Sequence, residues 1–209
     1  MAPELIETEA DLVAAAAVLV TRDARFGPIL SVVGPLPLRR RADGFGALLS
    51  AIVGQQVSTA SAAAILGRLE AAGLAEEAAV RAASEEDLRA CGLSRPKIRY
   101  IRALAEARVD YAGLRHAPTD HVLKTLTALP GIGPWTAEIY AKFALGHADV
   151  FAAGDLALQV AAARAFDLPA RPTEPEMRAM AAPWSPVRAV AARALWVYYR
   201  VETSREGVL

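Results

Sequence analysis

Apolar residues recur at helical spacing along almost the whole of this chain, and nowhere do apolar and polar residues alternate over a useful length. That pattern excludes a sheet of amphipathic strands. It predicts an all-α fold of about ten short helices, which the abundant alanine suits. Helices are expected over 9–21, 44–53, 58–71, 119–127, 134–145, 155–166 and 186–200, with two more opened by Ser84 and Ser94. Ser84 with Asp87, and Thr173 with Glu176, have the spacing of capping boxes. Ser185-Pro186 reads as a cap followed by proline at the first helical position. Residues 26–43 hold three prolines and two glycines and are expected to form an irregular connector.

The 209 residues are enough for a substantial core, and 54% hydrophobic against 22% charged residues argues for a folded globule. Lys+Arg and Asp+Glu both total 23, so no global field marks a nucleic-acid binder. Any such surface must be local. Arg39, Arg40 and Arg41 form one basic run; Arg95, Lys97, Arg99 and Arg102 form another. Cys91 is the single cysteine, which excludes an internal disulfide and leaves no thiolate cluster for zinc or iron–sulfur ligation. The first apolar run, Leu12 to Val20, has no basic region before it and is too short to span a bilayer. A cytoplasmic protein with no membrane role is expected.

One stretch stands apart. Residues 129–140 read LPGIGPWTAEIY, a five-residue turn between two helical segments with a tryptophan immediately after it. Gly131 and Gly133 permit positive φ and close approach of another backbone, while Ile132 between them would point inward and pin the turn. Pro134 suits the first helical turn, so unpaired N–H groups gather beside the glycines and make a ready site for a phosphate. Taken alone, a GxG of this kind fits a plain helix–helix turn equally well.

The wider context resolves this. L-P-G-I-G followed by x-x-T-A resembles the helix–hairpin–helix of the HhH-GPD DNA glycosylase superfamily. The variant Gly133-Pro134-Trp135-Thr136-Ala137 resembles its 3-methyladenine DNA glycosylase II family. The resemblance runs from about Gly44 to Tyr199 and includes Trp184, Pro186, Arg188, Ala191, Leu195 and Trp196 of a closing segment. It implies a two-lobed helical bundle with the active site in the cleft between the lobes. The 209 residues would form one glycosylase unit, with 44–155 as the central lobe carrying the hairpin at 127–134. Residues 1–43 with 156–209 would make the second lobe, and the N-terminal β-rich lobe of some members would be missing.

The resemblance also assigns residues. Gly131, Ile132 and Gly133 would hold DNA phosphate through their N–H groups. The turn carbonyls of Thr127, Leu129 and Ile132 would bind a monovalent Na+ or K+. Asp155, twenty residues after Trp135, matches the family's catalytic acid, with Asp149 the fallback. As a helix N-cap, Asp155 would receive backbone N–H bonds that favour the carboxylate, the form that stabilises positive charge developing on deoxyribose. Trp135 stands where strand-cleaving members carry a lysine nucleophile, which implies hydrolysis without lyase chemistry, although Lys142 lies two turns along the same face. Trp135 and Trp184 would wall a pocket for a cationic alkylated base, with Ile139 and Leu156 where some relatives place tyrosines. Gln56, with Gln55 beside it in the turn Gly54-Gln55-Gln56, would form the wedge that enters the gap left by a flipped base.

The function expected is therefore base excision repair. A monofunctional glycosylase would remove 3-methyladenine and 7-methylguanine from double-stranded DNA, acting as a monomer without an iron–sulfur cluster or other cofactor for its chemistry. Two other readings stay open: a non-catalytic helix–hairpin–helix module that grips DNA through phosphates, and a glycosylase for deaminated or oxidised bases.

Overall fold

The computed structural model describes residues 2–206. Thirteen α-helices account for most of them, and β pairing among the described residues is limited to an isolated bridge between Leu5 and His147. The chain divides into two compact units. Met1–Arg40 joins Ala141–Leu209 in one, and Arg41–Tyr140 forms the other.

The discontinuous unit holds α1 (Glu9–Arg22), α2 (Phe26–Val33), α11 (Leu156–Ala165), α12 (Glu174–Ala181) and α13 (Arg188–Glu206). Thr8 and Asp11 close a capping box on α1. Leu12, Ala15 and Leu19 turn its apolar stripe inward, and Phe26 and Ile29 do the same from α2. These side chains meet Phe151, Leu158, Met177, Val190 and Leu195 in one core. At its centre lies Trp184, against the edges of Phe26 at 5.0 Å and Phe151 at 5.5 Å. Its indole N–H donates to Asp23 at 2.9 Å, so the buried polar atom is satisfied. The hydrogen bonds from Arg25, chiefly, and from Trp184 hold the Asp23 carboxyl down at about 2, against the opposing effect of burial.

The continuous unit holds α3 (Phe45–Gly54), α4 (Thr59–Ala71), α5 (Glu77–Ala82), α6 (Glu85–Ala90), α7 (Arg95–Glu106), α8 (Tyr111–His116), α9 (Thr119–Thr127) and α10 (Pro134–Tyr140). Its core is built from Leu48, Leu49, Ile52, Leu69, Leu88, Ile101, Leu104 and Leu126, each removed from solvent. The Ser84–Asp87 capping box opens α6 as expected.

Several expectations need correction. Residues 26–33 are helical rather than irregular, because Pro28 falls in the first turn, where no intrahelical N–H bond is lost. The helices α5 and α8, each six residues long, are too short to show a period of their own. The Thr173–Glu176 box does open α12, but Ser185 does not cap the last helix; it closes the short 3-10 turn Ala182–Trp184. The Ser185 hydroxyl donates to Asp149 at 2.8 Å, and α13 begins at Arg188. The boundaries between units fall after Arg40 and Tyr140, not at 43/44 and 155/156. Residues 141–155 belong to the discontinuous unit because Ala148, Phe151 and Ala153 pack in its core.

Candidate active site

The hairpin of the continuous unit begins where α9 ends. The Leu129 N–H donates to the Leu126 carbonyl and the Ile132 N–H to the Leu129 carbonyl, both at 3.1 Å, which curls the chain through the turn. Ile132 is 4% exposed and pins the turn to the helices, as its position implied. The two glycines are not equivalent. Gly131 has φ +84, and a Cβ there would run into the Tyr100 ring. Gly133 does not use the positive φ open to it; it lies exposed with open space where a Cβ would stand. One glycine is required by conformation and packing, the other leaves room.

The turn after α3 bends back to this hairpin. Gln55 Nε2 donates to the Gly131 carbonyl at 2.8 Å. This corrects the expectation for Gln55, whose amide is directed into the protein and not toward a DNA gap. Gln56 is exposed, has φ 57, and precedes the exposed Val57. Trp135, in the first turn of α10, is 48% exposed, while Ile139 one turn on is half-buried.

In the discontinuous unit Asp155 caps α11, its Oδ1 accepting from Ala157 N–H at 2.9 Å and from Leu158 N–H at 3.3 Å. Gln159, buried in α11, donates to the Ala153 carbonyl at 3.0 Å and holds the approach to this cap. Asp155 is half-buried, and Leu156 beside it is 57% exposed. Asp149 is committed elsewhere. Arg188 binds its carboxylate at 2.5 Å and 3.0 Å, and Ser185 adds a third bond. Burial pushes its pKa up, but the bonds from Arg188 and Ser185 outweigh that and leave it lowered. It is a structural ion pair.

Trp184 is also corrected. At 0% exposure, in an aromatic cluster, it presents no face to a base. Its segment resembles the family's because it builds the core.

Two features were not legible in the sequence. Residues Ala141–Leu145 form a π-helical turn continuing from α10, a widening often found at functional sites. It turns Lys142 inward to 4% exposure, with its ammonium 4.6 Å from the Phe143 ring centroid. Arg193, 3% exposed on α13, lies over the same ring at 5.3 Å. Burial, with the charges of Arg193 and Arg39, pushes the Lys142 ammonium down to about 7, against the opposing influence of Asp155. Lys97, read only as part of a basic run, sends its ammonium to the Val53 carbonyl at 2.6 Å.

The continuous unit thus carries a helix–glycine turn–helix, and the discontinuous unit a carboxylate that caps a helix. Sequence and structure comparisons agree. The sequence model of the HhH-GPD superfamily of base excision DNA repair proteins matches residues 49–186, and this chain belongs to that superfamily. A crystal structure of a DNA-3-methyladenine glycosidase from Bacillus halodurans is 32% identical and superposes with a TM-score of 0.84 over 91% of each chain. The Schizosaccharomyces pombe 3-methyladenine DNA glycosylase Mag1, solved with abasic DNA, is 27% identical with a TM-score of 0.71, over 87% of this chain and 94% of that one. A Mycobacterium tuberculosis protein named "Probable bifunctional transcriptional activator/DNA repair enzyme AlkA" is 33% identical over 182 residues, 79% of this chain and 36% of its own length. Against a further curated relative, from Bacillus subtilis, this chain spans 40% of the length. Among the described residues no helix is long and apolar enough to cross a membrane.

Proposed function

We propose that this chain is a monofunctional DNA glycosylase that hydrolyses the N-glycosidic bond of alkylated purines, 3-methyladenine and 7-methylguanine foremost. Asp155 carries the reading. Its Oδ1 accepts from two backbone N–H groups at the N-terminus of α11, which fixes the side chain while leaving it half open to solvent. A carboxylate fixed in this way stabilises the oxocarbenium-like deoxyribose as the base departs, and can orient the attacking water.

The exposed apolar side chains support the same reading. Val57, Trp135 and Leu156 are large apolar residues left open to solvent, and each adjoins a residue with a proposed role: Gln56, the hairpin glycines and Asp155. Trp135 offers a π face to an alkylated, electron-poor purine. Gln56 fills the stack after the base is turned out, and the amides of Gly131 and Gly133 hold the backbone, while that of Ile132 is spent on the Leu129 carbonyl within the turn. The carbonyls of Thr127, Leu129 and Ile132 suit a Na+ or K+ ion, since the Leu129 oxygen keeps a second lone pair beside its turn bond. Such an enzyme works as a monomer on duplex DNA in the cytoplasm.

The test is release of methylated base from alkylated duplex DNA, read by chromatography. Wild-type protein is expected to release 3-methyladenine and 7-methylguanine. Asp155→Asn should lose about 100-fold or more in the single-turnover rate while still binding the duplex. An Asp155→Asn protein as active as wild type would sink the assignment, and a phosphate-gripping module without chemistry would release nothing.

A further inference from the structure

Three groups in the continuous unit face inward at one place without being part of its apolar core. The first is Gln55, whose Nε2 reaches the Gly131 carbonyl at 2.8 Å across 76 residues of sequence. The second is Lys97, near the start of α7, which donates to the Val53 carbonyl at 2.6 Å. Val53 lies in the last turn of α3, where carbonyls have no partner within the helix and the dipole is negative, so the ammonium closes that helix end. The third is Tyr100, one turn further along α7, whose ring fills the space where a Cβ of Gly131 would be.

Helix α7 thus touches both turns. Lys97 fixes the last turn of α3, Tyr100 lies under the hairpin, and Gln55 ties the one turn to the other. Between these fixed points stands Gln56, with φ 57, a conformation that a non-glycine residue holds only when its surroundings impose it. The side chain so presented is exposed. Burial depresses the pKa of Lys97, consistent with an ammonium turned inward and engaged by a carbonyl.

We propose that Gln55 is a positioning residue that locks the Gln56 turn to the hairpin. Gripping the backbone and inserting Gln56 then occur as one movement, with Lys97 as the second point of attachment. The inference rests on the roles proposed above for Gln56 and the hairpin. A turn fixed before DNA arrives loses little further conformational freedom when it enters the stack, whereas a loose turn must be ordered at that moment. Losing the lock should therefore impair extrusion of a paired base. It should spare the phosphate grip and the chemistry.

The experiment uses the full chain with duplexes carrying 7-methylguanine beside 2-aminopurine, whose fluorescence rises when its neighbour leaves the stack. The same lesion placed in an unpaired bulge needs little extrusion. For Gln55→Met, the fluorescence step and the single-turnover excision rate on the duplex should fall roughly fivefold to tenfold, the size expected for one neutral hydrogen bond. Excision from the bulge and affinity for undamaged duplex should stay near wild type. Lys97→Met should show the same split, and Lys97→Arg, which keeps a donor, should restore it. Equal losses on duplex and bulge would mean a merely structural role and overturn the proposal, as would no loss on either. A wild-type protein that excises from neither substrate would instead defeat the glycosylase reading, and the fluorescence step would still report the coupling.

Discussion

Lys142 is the residue whose chemistry departs furthest from its reference state. Its pKa of about 7 in the folded chain compares with 10.5 in water, mainly because burial withdraws hydration from the ammonium. The folded value is the lower one, so between about pH 7 and pH 10.5 the unfolded chain binds more protons. Stability should then rise with pH across that window. Lys142→Met removes this burden and should raise Tm at pH 7 by roughly 5 °C. It should also flatten the Tm profile between pH 7 and 10, as calorimetry would show. A Tm at pH 7 unchanged by the substitution would contradict the burial argument. An amine with this pKa is chemically able to attack a sugar carbon, but at 4% exposure it is shut away from one. Borohydride is accordingly expected to trap no protein–DNA adduct, and an adduct through Lys142 would overturn the hydrolytic reading. The burial of single residues is the feature a sequence encodes least locally. Trp135 and Trp184 looked alike as candidate walls, and only long-range packing separates an exposed ring from one enclosed by Phe26 and Phe151.

At the scale of elements, the hairpin shows what spacing can and cannot reveal. The turn, its inward Ile132 and the helices on either side were legible because proline, glycine and apolar period act locally. The division of labour between the glycines was not, because it depends on Tyr100, some thirty residues earlier. The two positions should therefore respond differently to valine. Gly133→Val has room in the fold, so Tm should hold while affinity falls about tenfold for every duplex sequence alike, the mark of a backbone contact. Gly131→Val forces a branched residue to positive φ against a ring and should lose on the order of 1–3 kcal/mol of stability. Thermal melts and fluorescence anisotropy on duplexes of unrelated sequence separate the two effects. Sequence-dependent loss in Gly133→Val would contradict phosphate binding. Helix α2 is hidden in the sequence for a related reason: proline signals a break, yet its position in the first turn makes it harmless.

For the whole molecule, equal numbers of cationic and anionic side chains mean that long-range attraction contributes little to any association with DNA. Binding should then depend only moderately on salt, with log Kobs against log salt falling at a slope of about −2 to −4. A slope near −10 would show that the basic runs engage many phosphates. The helical class is evident from period alone, whereas the boundaries between the two units are not. Helical spacing runs straight through Tyr140 and Ala141, so nothing in it marks the change from one core to the other. The π-helical turn begins at that junction.

That junction bears on how the chain is made. The unit Arg41–Tyr140 is continuous, whereas its companion is assembled from segments on either side of it. As the polypeptide leaves the ribosome, α1 and α2 emerge before the other helices described. Their apolar faces must then wait for α11 and α13, with more than a hundred residues still to be added. At ordinary elongation rates the interval before α13 begins to emerge is about 8–30 s, during which the continuous unit can fold to completion. Leu12, Leu19, Phe26 and Ile29 are the side chains left uncovered meanwhile, and the natural clients of whatever shields nascent chains.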